Sequence, residues 1–446
     1  MTLRLPLRPA LWVITALCAL APATAQRFDV HPDRSSGVYA AGDTVHWTVT
    51  WQGDEIPPPA RYVVKLGGIK VTEEGELAFA DGTARLVSRI DEPNALLLEV
   101  SWEGEEQTQR ELAGILASPQ QIQPAAGVPD DFDAFWAAKI AELAAVPMNT
   151  RLESGEAGQD GVDYWKIWMD NIRGTQIQGQ LARPAGATEN LPALLIVQWA
   201  GVYPLQKPWA VDRAAEGWLT LNILAHDLPI DEPMEFYQEQ RRGALSDYAG
   251  IGADDREESY FLRMYLSCYR AVEYLKTRPE WNGETLVVMG TSQGGQQTLV
   301  TAGLHPEDLT AALALVPAGA DMLAPEADHA PAFPRWYTKT AGRDSAAVHQ
   351  TSRYFDAANF ATRIKVPVLV GVGLEDVTCP PATIFAATNQ IATHTEVVVL
   401  PISGHQNVNG SQEPYNDRAY RHWLPALREG RPLPMAQMPT VIVHGN

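Results

Sequence analysis

The chain has 446 residues, a formal net charge of −20, 46% apolar residues and 20% charged ones. That length holds two or three domains with a sizeable core, and the composition is ordinary for a globular protein. The excess of carboxylates argues against a nucleic-acid partner and against docking on an anionic membrane, and favours neutral or weakly charged partners.

The first stretch is "MTLRLPLRPALWVITALCALAPATAQ". Arg4 and Arg8 precede an apolar run ending near Ala21 and then Ala23-Thr24-Ala25, the pattern of a signal peptide over residues 1–25. Leu17 before Cys18 does not fit a lipoprotein signal, and no later stretch is long and apolar enough to cross a bilayer. The expectation is an exported, soluble protein, periplasmic or extracellular, with no membrane contact. Beyond that segment only Cys268 and Cys379 remain, and two buried free thiols are preferred to a single bridge.

Residues 27–112 read as a small Ig-like β-sandwich domain. "TVHWTVTW" alternates, with Trp47, Val49 and Trp51 on one face and His46, Thr48 and Thr50 on the other. "RYVVKLGG", "GELAFADGTARLV" and "NALLLEVSWEG" follow at turn-separated intervals with no helical pattern. Rows of aromatics in such a domain can hold sugar, but they are read here as core. Residues 113–129, which contain "ASPQQIQPAAGVP", read as a linker.

A catalytic domain of α/β-hydrolase type is expected over 130–430. It opens with "DDFDAFWAAKIAELAAVP", an amphipathic helix with Asp130 or Asp131 as N-cap and Phe132, Phe135, Trp136, Ile140 and Leu143 on its apolar face. Short apolar runs at 193–199, 218–224, 285–290, 309–317, 366–373 and 395–401 show little alternation, which suits strands buried on both faces of a mostly parallel sheet. "ESYFLRMYLSCYRAVEYLKTRP" and "GGQQTLVTAGL" read as helices between them, and residues 431–446 as a C-terminal tail.

Within this pattern "GTSQG", Gly290 to Gly294, follows a strand and opens a helix, as the G-x-S-x-G nucleophile elbow requires. Ser292 is the candidate nucleophile, and it needs a base and an orienting acid to attack an ester at neutral pH. In this fold the chain order is serine, acid, histidine, each in a loop after a later strand. Asp376 in "VLVGVGLEDVTCPP" and His405 in "VVVLPISGHQN" fall at those places; Glu375 is the competing acid. The backbone N–H of Gln293 is one expected oxyanion donor, and Val202 or Gly201 in "VQWAGVYP" the second. His226 in "ILAHDLP" also follows a strand; it is read as loop structure, with pocket lining as the alternative. There is no H-E-x-x-H and no Cys/His ligand spacing, so neither a metal nor a cofactor is expected.

"GTSQGG", "GLEDVTCPPATIFAATNQ", "YFLRMYLSCYRAVEYL" and "PDDFDAFW" together resemble carbohydrate esterase family 7, the acetyl xylan esterases and cephalosporin C deacetylases, over roughly residues 125 to 430. The resemblance implies that Ser292, Asp376 and His405 form the triad and that the oxyanion donors are the main chain of Gln293 and Val202. Two departures stand out. The family's R-G-Q after an early strand is replaced by "LNILAHDLP", and the residue after the histidine is Gln406 rather than glutamate. The N-terminal β-domain is additional to the minimal family pattern. The implied activity is removal of O-acetyl groups from an acetylated oligo- or polysaccharide through an acetyl-enzyme. The alternatives are an α/β-hydrolase acting on a feruloyl or longer acyl ester or on a peptide, and a glycan-binding protein with an inactive hydrolase domain.

Overall fold

The computed structural model describes residues 27–54, 56–104, 106–436 and 440–445. The expected signal segment, residues 1–25, lies outside the described residues.

Eight strands come first: β1 (Phe28–Pro32), β2 (Val38–Tyr39), β3 (Thr44–Trp51), β4 (Ala60–Leu66), β5 (Lys70–Glu76), β6 (Thr83–Arg89), β7 (Asn94–Glu103) and β8 (Thr108–Ala117). They form two sheets, β1-β3-β6 and β2-β8-β7-β4-β5. All pairings are antiparallel except β2 with β8, and the two sheets pack face to face as an Ig-like sandwich. Alternation on β3 sends Val45, Trp47 and Val49 into the core. The Trp47 indole is satisfied there, donating to Ser88 Oγ at 3.1 Å. Half-buried Trp51 packs on Phe28, ring centroids 4.8 Å apart, so this aromatic row is core.

Strand β8 runs to Ala117 because Ala113 and Ile115 to Ala117 are buried and keep pairing with β7. A linker starting at 113 therefore cuts a strand. The chain then enters α1 (Phe132–Ala144), which buries Phe132, Phe135, Trp136 and Leu143. Asp131 occupies the N-cap position, but its carboxylate turns away from the helix, to Arg256 at 2.8 Å and to the Tyr354 hydroxyl.

The third sheet has ten strands: β9 (Arg151–Gly155), β10 (Val162–Asp170), β11 (Gln176–Pro184), β12 (Leu191–Val197), β13 (Leu219–Ile223), β14 (Trp281–Thr291), β15 (Ala311–Leu315), β16 (Val368–Gly373), β17 (Thr395–Leu400) and β18 (Val441–His444). Their order is β18-β17-β16-β15-β14-β12-β13-β11-β10-β9. The six strands from β12 to β17 are mutually parallel, while β9 to β11 and β18 run antiparallel at the edges. Successive residues of a parallel strand serve two layers. Leu195, Val197 and Val288 pack with residues of α4 (Tyr260–Lys276) and α5 (Gln293–Leu304), and Leu194, Val287 and Met289 with Tyr415 and Trp423 on the other face. Two shorter helices precede that pair, α2 (Pro208–Ala215) and α3 (Met234–Arg242). This is an α/β-hydrolase sheet. The expected tail, 431–446, is not all tail: Val441 to His444 pair with β17 as an edge strand.

The two sheet systems share one core. Ala95 and Leu116 of the sandwich belong to the same buried apolar cluster as β12, β14 and β16. Across the seam Ala330 N–H donates to Gly67 O at 2.7 Å, and the Asn389 amide donates to the carbonyls of Pro119 and Ile122, both at 2.8 Å. No helix among the described residues is long and apolar enough to cross a membrane.

Candidate active site

Strand β14 ends at Thr291 and α5 begins at Gln293, leaving Ser292 alone at the corner. Its φ of 59° and ψ of −119° place a non-glycine residue in sparsely populated space. The surroundings hold it there: Ser292 N–H donates to Leu315 O at 2.9 Å, and its carbonyl accepts from Gln296 and Ala318, both at 3.0 Å. The flanking glycines allow close approach. A Cβ on Gly290 would lie 2.5 Å from the carbonyl carbon of Gly294, and one on Gly294 would lie 2.6 Å from Val197 O.

The loop after β17 delivers His405 and the loop after β16 delivers Asp376. His405 Nε2 lies 2.8 Å from Ser292 Oγ, and His405 Nδ1 lies 2.7 Å from Asp376 Oδ2. A carboxylate can only accept, so Nδ1 carries the proton and Nε2 is left to accept from the serine hydroxyl. The other carboxylate oxygen, Oδ1, accepts from the N–H groups of Thr378 and Cys379, both at 2.8 Å, which fixes the plane of the group. Asp376 is 2% exposed and Ser292 7%, so the line is shielded from competing water. The structure brings Ser292, His405 and Asp376 together. It gives Glu375 no bond to the histidine; burial, reinforced by the nearby charge of Glu111, pushes that carboxyl up to about 7.

Cys268 and Cys379 are free and buried. Cys379 stands beside the serine, and burial raises its thiol well above the usual range, so it is a neutral wall. Donor atoms of Asp376, Cys379 and His405 lie within 4.8 Å of one another, as do those of Glu273, His305 and Asp308. In each set the histidine and a carboxylate are already joined by a hydrogen bond, at 2.7 Å and 2.8 Å.

In the segment after β12, Gly201 and Val202 differ in what their N–H groups already bind. Gly201 N–H is already engaged, donating to the Tyr248 hydroxyl at 3.1 Å, while the same hydroxyl donates to Gln293 Oε1 at 2.7 Å. Tyr248 thus ties the loop after β12 to the first residue of α5. Gly201 O faces His226 Nε2 at 2.9 Å, and His226 Nδ1 faces the Tyr260 hydroxyl at 2.7 Å. A carbonyl accepts, so Nε2 carries the proton; burial lowers the His226 pKa to about 4 and keeps the ring neutral, so Tyr260 donates to Nδ1. Gly201 O and Val202 N–H belong to one trans peptide and point in opposite directions. By holding the carbonyl, His226 sets the direction of the Val202 N–H. Among the described residues, neither Val202 nor Gln293 gives its N–H to a protein acceptor. Sequence reasoning reached His226 only as a loop residue. It missed Tyr248, which sits in no motif, and it gave no role to Tyr260, which opens the "YFLRMYLSCYRAVEYL" segment.

A profile of the acetyl xylan esterase (AXE1) family matches residues 115–424, which leaves most of the β-sandwich outside it. The chain is similar to acetyl esterase Axe7A of Xylanibacter ruminicola, with 28% identity over 381 residues, 84% of this chain and 85% of that protein. An acetyl xylan esterase from Paenibacillus sp. R4 is similar in structure, with a TM-score of 0.60 and 26% identity over 69% of this chain and 98% of that one. Acetyl xylan esterase 1 from Thermoanaerobacterium sp. JW/SL YS485 shares the fold, with a TM-score of 0.58 and 22% identity over 68% of this chain and 96% of that one. By the extent of the profile match and the sheet it covers, the chain belongs to the acetyl xylan esterase family, carbohydrate esterase family 7, and is a carboxylic ester hydrolase with the acetyl-esterase activity of that family.

Proposed function

We propose that the protein removes O-acetyl groups from oligo- or polysaccharides by two-step acyl transfer. The observation that carries this reading is the hydrogen-bonded line from Asp376 through His405 to Ser292, mounted on a strained strand-to-helix corner. Ser292 Oγ bonds to the acetyl carbonyl carbon while His405 Nε2 takes its proton. Asp376 keeps the imidazole in the required tautomer and stabilises its cation. The carbonyl oxygen becomes an oxyanion and accepts from the N–H groups of Gln293 and Val202; losing one such donor costs about a hundredfold or more in rate. The C–O bond to the sugar then breaks and the sugar oxygen takes the proton from His405. Water, deprotonated by the same histidine, attacks the acetyl-serine; the C–O bond to Ser292 breaks, Oγ takes that proton back from His405, and acetate leaves.

The saccharide class rests on relatives described as acetyl xylan esterases. Export to the periplasm or beyond is part of the same proposal and rests on the charged, apolar and small-residue order of residues 1–25.

The test is acetate release from acetylated xylan and peracetylated monosaccharides, beside p-nitrophenyl acetate and butyrate, with Ser292→Ala as control. Serine-dependent release from the sugars is expected, with the acetate ester preferred over butyrate by about tenfold or more. Turnover of the nitrophenyl esters without sugar deacetylation would move the substrate to another ester. Near-wild-type turnover by Ser292→Ala would remove the serine from the mechanism.

A further inference from the structure

A cavity of about 620 Å³ lies where the β-sandwich meets the loop after β17. That volume is in the range of small-molecule sites, about 300–1,000 Å³. One wall carries His405 and Gln406; the facing wall is built from the sandwich by Arg27, Asp29, Arg110 and Glu111. The family profile starts at residue 115, so all four of these sandwich residues lie outside it.

The position has a chemical consequence that rests on the reading above. The proton given to the departing sugar oxygen comes from His405, so the sugar portion of the substrate must lie on the side of that imidazole. We propose that the β-sandwich supplies the subsite for this leaving-group oligosaccharide, with Arg27, Asp29, Arg110 and Glu111 hydrogen-bonding its hydroxyls. Among the described residues, the side chains of Arg27, Asp29 and Glu111 have no hydrogen-bond partner, and Arg110 has only a 3.6 Å ion pair with Glu99. Arg27 and Arg110 stand with Asp29, Glu111 and the Glu375 carboxyl, which also lines the cavity, so donors and acceptors are mixed without an excess of cations, which suits a polyhydroxy ligand rather than an anionic one. Ile402 and Val408, 72% and 62% exposed, add apolar surface to the same cavity for the C–H faces of sugar rings.

The wall is also fixed in place. A Cβ on Gly114 would lie 1.9 Å from Leu374 O, so β8 is seated directly on the loop that leads to Asp376. A subsite on a tethered module would lack this registry with the chemistry.

The experiment compares kcat/KM on acetylated xylohexaose with kcat/KM on p-nitrophenyl acetate, for wild type, Arg110→Ala, Asp29→Ala and Lys70→Ala. Arg110 and Asp29 are exposed enough for the variants to fold. Lys70 pairs with Asp328 at 2.8 Å and lies outside the cavity. The ratio is expected to fall about tenfold in Arg110→Ala and Asp29→Ala, the cost of one charge-assisted hydrogen bond, and to stay within about twofold in Lys70→Ala. Equal ratios in all four proteins, or an equal fall in Lys70→Ala, would overturn the subsite. Calorimetry with unacetylated xylohexaose separates this from the substrate question. If wild type hydrolyses p-nitrophenyl acetate but not the acetylated sugar, the substrate reading fails. Binding of xylohexaose that Arg110→Ala weakens would still support the subsite, and no binding by wild type would overturn it.

Discussion

On the proposed mechanism the serine at the corner is only as reactive as the groups that set its partner's proton and its oxyanion donors, and one side chain in this site works at one remove from that chemistry. His226 is a positioning residue: it holds Gly201 O and thereby the peptide that presents Val202 N–H. His226→Ala is expected to lower kcat by about tenfold or more with KM little changed, because the misdirected donor is missed most when the oxyanion forms. His226→Gln, whose amide N–H can reach the same carbonyl, is expected to recover most of the loss. Steady-state kinetics of the three proteins decide it; equal losses in the Ala and Gln variants would reduce His226 to packing. Glu375 has a different consequence. Its carboxyl is pushed up to about 7 by burial, against an ordinary value of 4.5. Between those pH values the unfolded chain gives up the proton and the folded chain keeps it, so wild-type stability falls as pH rises through this window. Glu375→Gln has no proton to lose. Its stability relative to wild type, followed as the difference in Tm, is expected to be similar near pH 4 and to rise to a plateau above pH 7, by at most about 3 kcal/mol. Parallel Tm profiles across that range would show that Glu375 is not held protonated.

At the scale of elements, what could be read from the residues was what two-sided burial writes into them. Six apolar runs without alternation became the parallel strands β12 to β17, since a strand with helices on both faces has no polar side to record. The candidate site was legible for the same reason. Ser292, Asp376 and His405 each follow one of those strands, so their chain order alone places them at one edge of the sheet. Strands β9 and β10 were not legible: they lie at the open edge, half-exposed, and Glu153, Asp163 and Lys166 interrupt their apolar pattern. β11 is largely buried, but it reads "QIQGQLARP", and Gln178 and Gln180, both buried, break its apolar pattern. β18 is four residues long and is a strand only because β17 leaves a free edge. Tyr248 and Tyr260 escaped for another reason. Their bonds to Gln293 and His226 span 45 and 34 residues between non-repeating segments, and no local spacing encodes such a meeting.

The β-sandwich and the hydrolase, although the sequence divides into the two, are joined in this structure through a shared apolar core. Separate domains usually meet through modest, rather polar interfaces that allow relative motion. Here Ala95 and Leu116 of the sandwich are counted in the hydrolase core, and Gly114 sits against the backbone of Leu374, two residues before Asp376. Unfolding the sandwich alone would expose that shared cluster and loosen the loop that carries the acid. Wild type is therefore expected to melt in a single calorimetric transition. Gly114→Ala tests the coupling, because a methyl group there would meet the Leu374 carbonyl oxygen at 1.9 Å, and backbone cannot rotate away as a flexible side chain would. Either β8 lifts or the Leu374 segment shifts. The overpacking costs about 1–3 kcal/mol, a fall of a few degrees in Tm. Because the shift is passed toward Asp376, kcat is expected to fall with it while circular dichroism stays native. Two separate transitions in wild type, or a Gly114→Ala protein with lowered Tm and full kcat, would show instead that the sandwich is carried by the hydrolase without bracing its acid loop.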